Sequence, residues 1–128
     1  MREIKPLLEK HGFKQSEVTS GSSSGGDFAA CDFINGKIEI GIIVRASGKL
    51  GCPSYTAGHG YAAHERLLSV LGHSEKSSLI PGKWPSYVSK KGNNAFDALF
   101  RDLSELILPL LRESPQAFEA AINRAKSL

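Results

Sequence analysis

The stretch that decides the fold is Asp27-Phe28-Ala29-Ala30-Cys31-Asp32-Phe33-Ile34-Asn35-Gly36-Lys37-Ile38-Glu39-Ile40-Gly41-Ile42-Ile43-Val44-Arg45. Apolar residues recur at every second position on both sides of Asn35-Gly36, the period of a strand with one buried face. Asn-Gly is the dipeptide that best suits a two-residue type I′ turn, because both central residues need positive φ. The stretch therefore predicts a β-hairpin with strands at 27–34 and 37–45. In that register Phe33 faces Ile38, Cys31 faces Ile40 and Ala29 faces Ile42. Ala29, Cys31, Phe33, Ile38, Ile40, Ile42 and Val44 then make one apolar face. Asp32 would stand opposite Glu39, an unfavourable like-charge pair that Lys37 offsets diagonally.

Outward from the hairpin, helical signals dominate. Before it, Ile4, Leu7, Leu8 and His11 lie at helical spacing over about 3–11, with Pro6 in the first turn. Gly12 can end that helix in the left-handed conformation, and Phe13 can fold back onto its apolar face. Residues 19–26, rich in Ser and Gly, predict a mobile loop. They precede a strand and hold no Lys, so they do not fit a phosphate-cradling loop. After the hairpin, 49–56 reads as a third strand that Pro53 would confine to an edge. A helix is predicted at about 60–71, with Gly72 closing it.

Pro81-Gly82 marks a turn, Tyr87-Val88 a short strand and Lys90–Asn94 a loop. The strongest helix is predicted from about Ala95 to Leu111, with Asn94 as N-cap and a kink at Pro109. Ser114-Pro115 opens a last helix carrying Phe118, Ala121, Ile122 and Ala125 on one face. The fold class expected is α+β: one domain over 1–128, a small antiparallel sheet of three to five strands built on the hairpin, packed against helices, two of them C-terminal.

Composition narrows the function classes. At 41% hydrophobic and 23% charged the chain is globular rather than disordered. No apolar run approaches the roughly 18 residues of a membrane span, and the polar start Met1–Pro6 lacks a signal peptide's apolar stretch. A cytoplasmic protein with no membrane role is expected. Cys31 and Cys52 belong to no C-x-x-C and are expected as unpaired thiols.

The charge is unevenly placed. Residues 1–36 and 92–128 each sum to −1, whereas 37–91 carry eight basic and three acidic side chains, a net +5. Lys83, Lys90 and Lys91 are the densest part, and they enclose Trp84 and Tyr87, which makes 83–91 the candidate binding segment. Such a cluster favours an anionic partner, a protein first and nucleic acid as the weaker alternative. A solvated surface with both rings anchoring a loop is the plainer explanation.

The other candidate is Gly58-His59-Gly60-Tyr61-Ala62-Ala63-His64-Glu65-Arg66. His59 and His64 are candidate catalytic proton carriers, with Arg45 or Arg66 holding an anionic substrate, Cys52 as nucleophile and Ser54 or Tyr55 as polar contacts. Against an enzyme, the zinc-protease pattern fails because Leu68 stands where the second histidine belongs, and no Gly-x-Ser-x-Gly occurs. No pattern calls for a metal or a cofactor.

The order of elements is similar to small bacterial proteins of the toxin-immunity kind. The residues that carry this resemblance are Leu7-Leu8-Glu9-Lys10-His11-Gly12-Phe13, the hairpin, and Asp102-Leu103 with Pro109-Leu110-Leu111. The resemblance implies a binding module. The expectation is a non-enzymatic binding protein of the immunity or adaptor type, with a small enzyme acting on an anionic substrate at His59 and His64 as the alternative.

Overall fold

The hairpin forms, one turn position further along than Asn-Gly indicates. In the computed structural model, which describes residues 3–23, 26–45, 48–84, 86–92 and 94–126, β3 (Gly26–Asn35) pairs antiparallel with β4 (Ile38–Arg45), and Asn35 stands opposite Ile38. The central turn residues are thus Gly36 and Lys37. Gly36 has φ +60°, and no described residue other than glycine has positive φ. One glycine at the first central position is the requirement of a type II′ turn, not of type I′. The cause lies outside the hairpin: the Asn35 side chain donates to the His11 carbonyl at 3.2 Å, which holds Asn35 as the last residue of β3.

Phe33 accordingly faces Ile40, Cys31 faces Ile42 and Ala29 faces Val44. The displacement is of two residues, so the alternation survives and the same seven side chains share the inward face. Asp32 faces Gly41, and the expected repulsion with Glu39 does not arise.

The sheet is larger than expected. β1 (Lys14–Gln15) and β2 (Thr19–Ser23) both pair with β3 on its free side, and β5 (Ser54–Ala57) and β6 (Gly60–Ala63) follow β4. All six strands are antiparallel. β2 comes from the Ser/Gly segment read as a loop. It is an edge strand held by backbone pairing and by Thr19 Oγ1 donating to the Ala30 carbonyl, so it needs no side chain to bury; Ser24 and Gly25 lie outside the described residues. Pro53 precedes β5 instead of lying in it, and β5 is an inner strand. Residues 60–63, expected to be helical, form β6, and the helix is confined to α2 (His64–Val70). Glycine is required at 60: a Cβ there would lie 2.5 Å from Asn123 Oδ1 and 2.9 Å from Ile122 Cγ2.

The helices cover one face of the sheet. Ile4 and Leu8 of α1 (Ile4–Lys10), Leu67 and Leu68 of α2, Ala98 and Leu99 of α3 (Ala95–Asp102), Leu108 of α4 (Leu108–Glu113) and Phe118, Ala121, Ile122 and Ala125 of α5 (Pro115–Lys126) are buried. They join Phe33, Ile40, Ile42 and Tyr55 in one core. On the opposite face Asp32, Ile34 and Tyr61 are exposed. Pro109 is accommodated without a break. A π-helical turn, Leu103–Ile107, widens the helix just before it, where an α-helical carbonyl would meet the proline ring. A separate hairpin, β7 (Leu79–Pro81) with β8 (Tyr87–Ser89), is attached through the Tyr87 amide, which donates to the Leu50 carbonyl at 2.8 Å. Among the described residues no helix is long and apolar enough to cross a membrane.

Candidate functional site

The two candidate catalytic histidines are placed in opposite environments. His59 is exposed in the turn between β5 and β6, whereas His64 begins α2 and is 0% exposed. The extended residues of β6 separate them by on the order of 15 Å.

His64 instead joins Tyr55, the polar contact anticipated for this segment. Its Nδ1 lies 2.6 Å from the Tyr55 hydroxyl and its Nε2 lies 2.8 Å from Asp102 Oδ2. Asp102 is 1% exposed and accepts further bonds from Ser77 Oγ at 2.7 Å, the Ser78 amide at 2.6 Å and the Leu79 amide at 3.2 Å. Burial pushes the Asp102 carboxyl up, but the bonds from His64, Ser78 and Ser77 outweigh it and hold the group below its ordinary value. Burial, and then the Asp102 charge, raises the Tyr55 phenol well above its ordinary value. A phenol that keeps its proton donates to Nδ1, and Nε2–H donates to the carboxylate, so the His64 ring is satisfied at both nitrogens. The chain Tyr–His–Asp–Ser has the connectivity of a proton relay, but it is enclosed, and it joins β5, α2, α3 and the approach to β7.

A second polar group lies beside it. Cys52 Sγ is 3.3 Å from the Tyr87 hydroxyl, which in turn donates to Glu65 Oε2. Burial raises the Cys52 thiol, the reverse of what a nucleophile requires. Cys31 and Cys52 are both free thiols. Among the described residues no three His, Cys, Asp or Glu side chains come together as a metal site would need.

The segment 83–91 divides by role. Trp84, in the loop between β7 and β8, is 77% exposed, and Lys83 and Lys91 are exposed. Tyr87 is buried and anchors the hairpin through Glu65 and Cys52. Lys90 Nζ donates to the carbonyls of Ser74 at 3.2 Å and Glu75 at 3.3 Å, fixing the turn after α2. Beside the hairpin runs a groove of about 420 Å³, with Lys49, Lys83 and the inner side of Tyr87 among its lining and Val88, Ala95 and Phe96 supplying apolar surface. Its far wall is the start of α3, where Asn94 Oδ1 accepts from the Phe96 amide.

The sequence alone does not single out Lys49, Phe96, Asp102 or Ser77 as site residues. Asp102 had a signal, a charged residue three positions after Leu99 on the apolar stripe of the strongest helix. The others are brought in by folding alone. Compared with protein-family models, curated proteins and solved structures, the chain matches none.

Proposed function

We propose that the chain is a non-enzymatic binding protein, of the immunity or adaptor type, which recognises an anionic surface on a protein partner through the β7–β8 hairpin. The observation that carries this reading is the groove beside the hairpin, where Lys49 and Lys83 flank apolar surface and Trp84 projects from the adjoining loop. Concave apolar surface with a cationic rim and an exposed aromatic is the composition of an interface hot spot, and the charges steer an acidic partner toward it. Within this reading Lys83, Trp84 and Lys91 touch the partner, while Tyr87 and Lys90 hold the hairpin in place. Two unpaired thiols favour a reducing, cytoplasmic setting. An enzyme working on an anionic substrate at His59 and His64 has less support, because a substrate could reach the His64 ring only by opening the core.

Affinity capture from lysate tests the proposal, comparing the wild type with the Lys83→Glu/Lys91→Glu variant, each with and without nuclease. A protein captured by the wild type, lost from the variant and insensitive to nuclease is the expected result. Identical captured sets would refute the role of the hairpin, and a nuclease-sensitive set would move the reading to nucleic acid.

A further inference from the structure

At the other end of the long helix the fold assembles a second cationic site from segments remote in sequence. A groove of about 430 Å³ lies where the end of α1, the β3–β4 turn and the junction of α4 with α5 meet. Lys10, His11 and Arg112 are among the residues around it, and Leu111 and Pro115 supply its apolar surface above the buried Phe13 and Leu108. A neighbouring concavity of about 350 Å³ shares Asn35, Leu111 and Pro115 with it, adding Lys37 and one carboxylate, Glu119. The two make one trough.

Lys10, Lys37 and Arg112 are exposed and make no ion pair among the described residues. Moreover, no acidic residue lines the first concavity. His11 Nδ1 donates to the Leu7 carbonyl at 2.9 Å, which orients the ring and leaves Nε2 as the nitrogen available to a ligand.

We infer that this trough is a second binding site and that it takes an acidic peptide segment of a protein partner, with an apolar side chain on the Leu111–Pro115 surface and carboxylates on Lys10, Arg112 and Lys37. The charge selects an anionic occupant. The shape selects an extended chain: the trough runs over two adjoining concavities, and its polar groups are flexible rim cations instead of the fixed buried groups that orient a compact small molecule. The site is independent of the β7–β8 groove. Phe96 lines one and Leu108 the other, about 18 Å apart at helical rise.

The test is selection from a random peptide library on the immobilised full chain, followed by NMR mapping of a recovered peptide. The expected consensus places Asp or Glu beside Leu, Phe or Met, and the peptide shifts the amides of Asn35, Leu108 and Leu111. Lys10→Glu/Arg112→Glu should weaken it at least about tenfold, with a melting temperature lowered only slightly because each cation lies in the last turn of its helix, whereas Lys83→Glu leaves it as it was. Recovery of basic or uncharged sequences would overturn the inference, as would shifts confined to the β7–β8 hairpin. So would dodecanoate or an oligonucleotide shifting these amides when no acidic peptide does, or peptide-free shifts that grow with protein concentration, which would mark a second copy as the occupant.

Discussion

His64 and Trp84 stand at the centre of two regions built from similar material, aromatic rings with charged neighbours, yet the fold uses them in opposite senses. Around His64 the polar partners are turned inward: the ring is enclosed, accepts from the Tyr55 hydroxyl and donates to Asp102, and the Asp102 carboxylate also takes two backbone amides. Around Trp84 the ring is 77% exposed, with Lys83 exposed beside it. A residue type suited to chemistry is therefore no sign of chemistry until access is known. The histidine is fastened to its neighbours, and the tryptophan touches little of its own chain. Tyr87 lies between the two regions, lining the groove with one side and bonding Glu65, the next residue after His64, with its hydroxyl.

The comparison predicts its largest effect at Asp102. Asp102→Asn keeps the shape of the side chain but replaces one acceptor oxygen by an N–H₂ group, which in either orientation of the amide faces a donor, at Ser78 or at His64, Ser77 and Leu79. Leaving buried donors unpaired should cost roughly 3–5 kcal/mol of stability in urea unfolding; a loss under about 1 kcal/mol would show that the enclosed network is dispensable. The pH dependence has a definite sign. The folded Asp102 carboxyl lies below its ordinary value. Its contribution is thus fully present above the unfolded value, about 3.9, and is lost as pH falls from there through the depressed folded value. The gap between wild type and Asp102→Asn should therefore narrow when urea midpoints near neutral pH are compared with those at about pH 3. A gap that widens in acid would reverse the assignment.

The same contrast explains what was legible in the sequence. The inward face of the β3–β4 hairpin could be read because alternation is local and survives a displacement of two residues. The register could not, because Asn35 is fixed by the His11 carbonyl, 24 residues away along the chain. β2 carries no apolar pattern, since an edge strand of Ser, Thr and Gly is held by its backbone, and β6 is four residues that run directly into α2. At the candidate site the exposed half, Lys83, Trp84 and Lys91, is a run of neighbours visible in composition. The groove's other wall, Lys49 and Phe96, is contributed by distant segments. The trough beside Arg112 is less visible still, for Lys10 and Arg112 come from two segments that each sum to −1.

An intermediate effect is expected at Tyr87, which belongs to both regions. Tyr87→Phe keeps the ring under the groove and removes the hydroxyl that Glu65 and Cys52 share. A bond to a carboxylate deprived of full solvent is worth more than a neutral one, so the loss should be about 1–2 kcal/mol, read from the melting temperature. Partner capture by the hairpin should weaken only in proportion to the hairpin's looser attachment. If Tyr87→Phe abolished capture with unchanged stability, the hydroxyl would be a contact in its own right, and the division between anchor and surface would have to be redrawn.

The smallest effect on stability, and the largest on binding, belongs to Trp84. Most of its ring faces water, so Trp84→Ala removes little packing, and the melting curve should move by no more than about 0.5 kcal/mol equivalent. A buried tryptophan would instead lose roughly 3–5 kcal/mol on truncation. Against the captured partner, the same substitution should cost about 2 kcal/mol or more, because a large exposed aromatic beside cations gives its energy only when a second surface covers it. Titration calorimetry of wild type and variant with that partner measures the second quantity, and denaturation of each alone measures the first. Stability loss with unchanged affinity would place Trp84 with His64 among the residues that hold the fold, and the hairpin would then lose its claim to be a recognition surface. Unchanged stability with lost affinity is what an outward-facing ring requires, and it would set the two regions apart by function as they already are by burial.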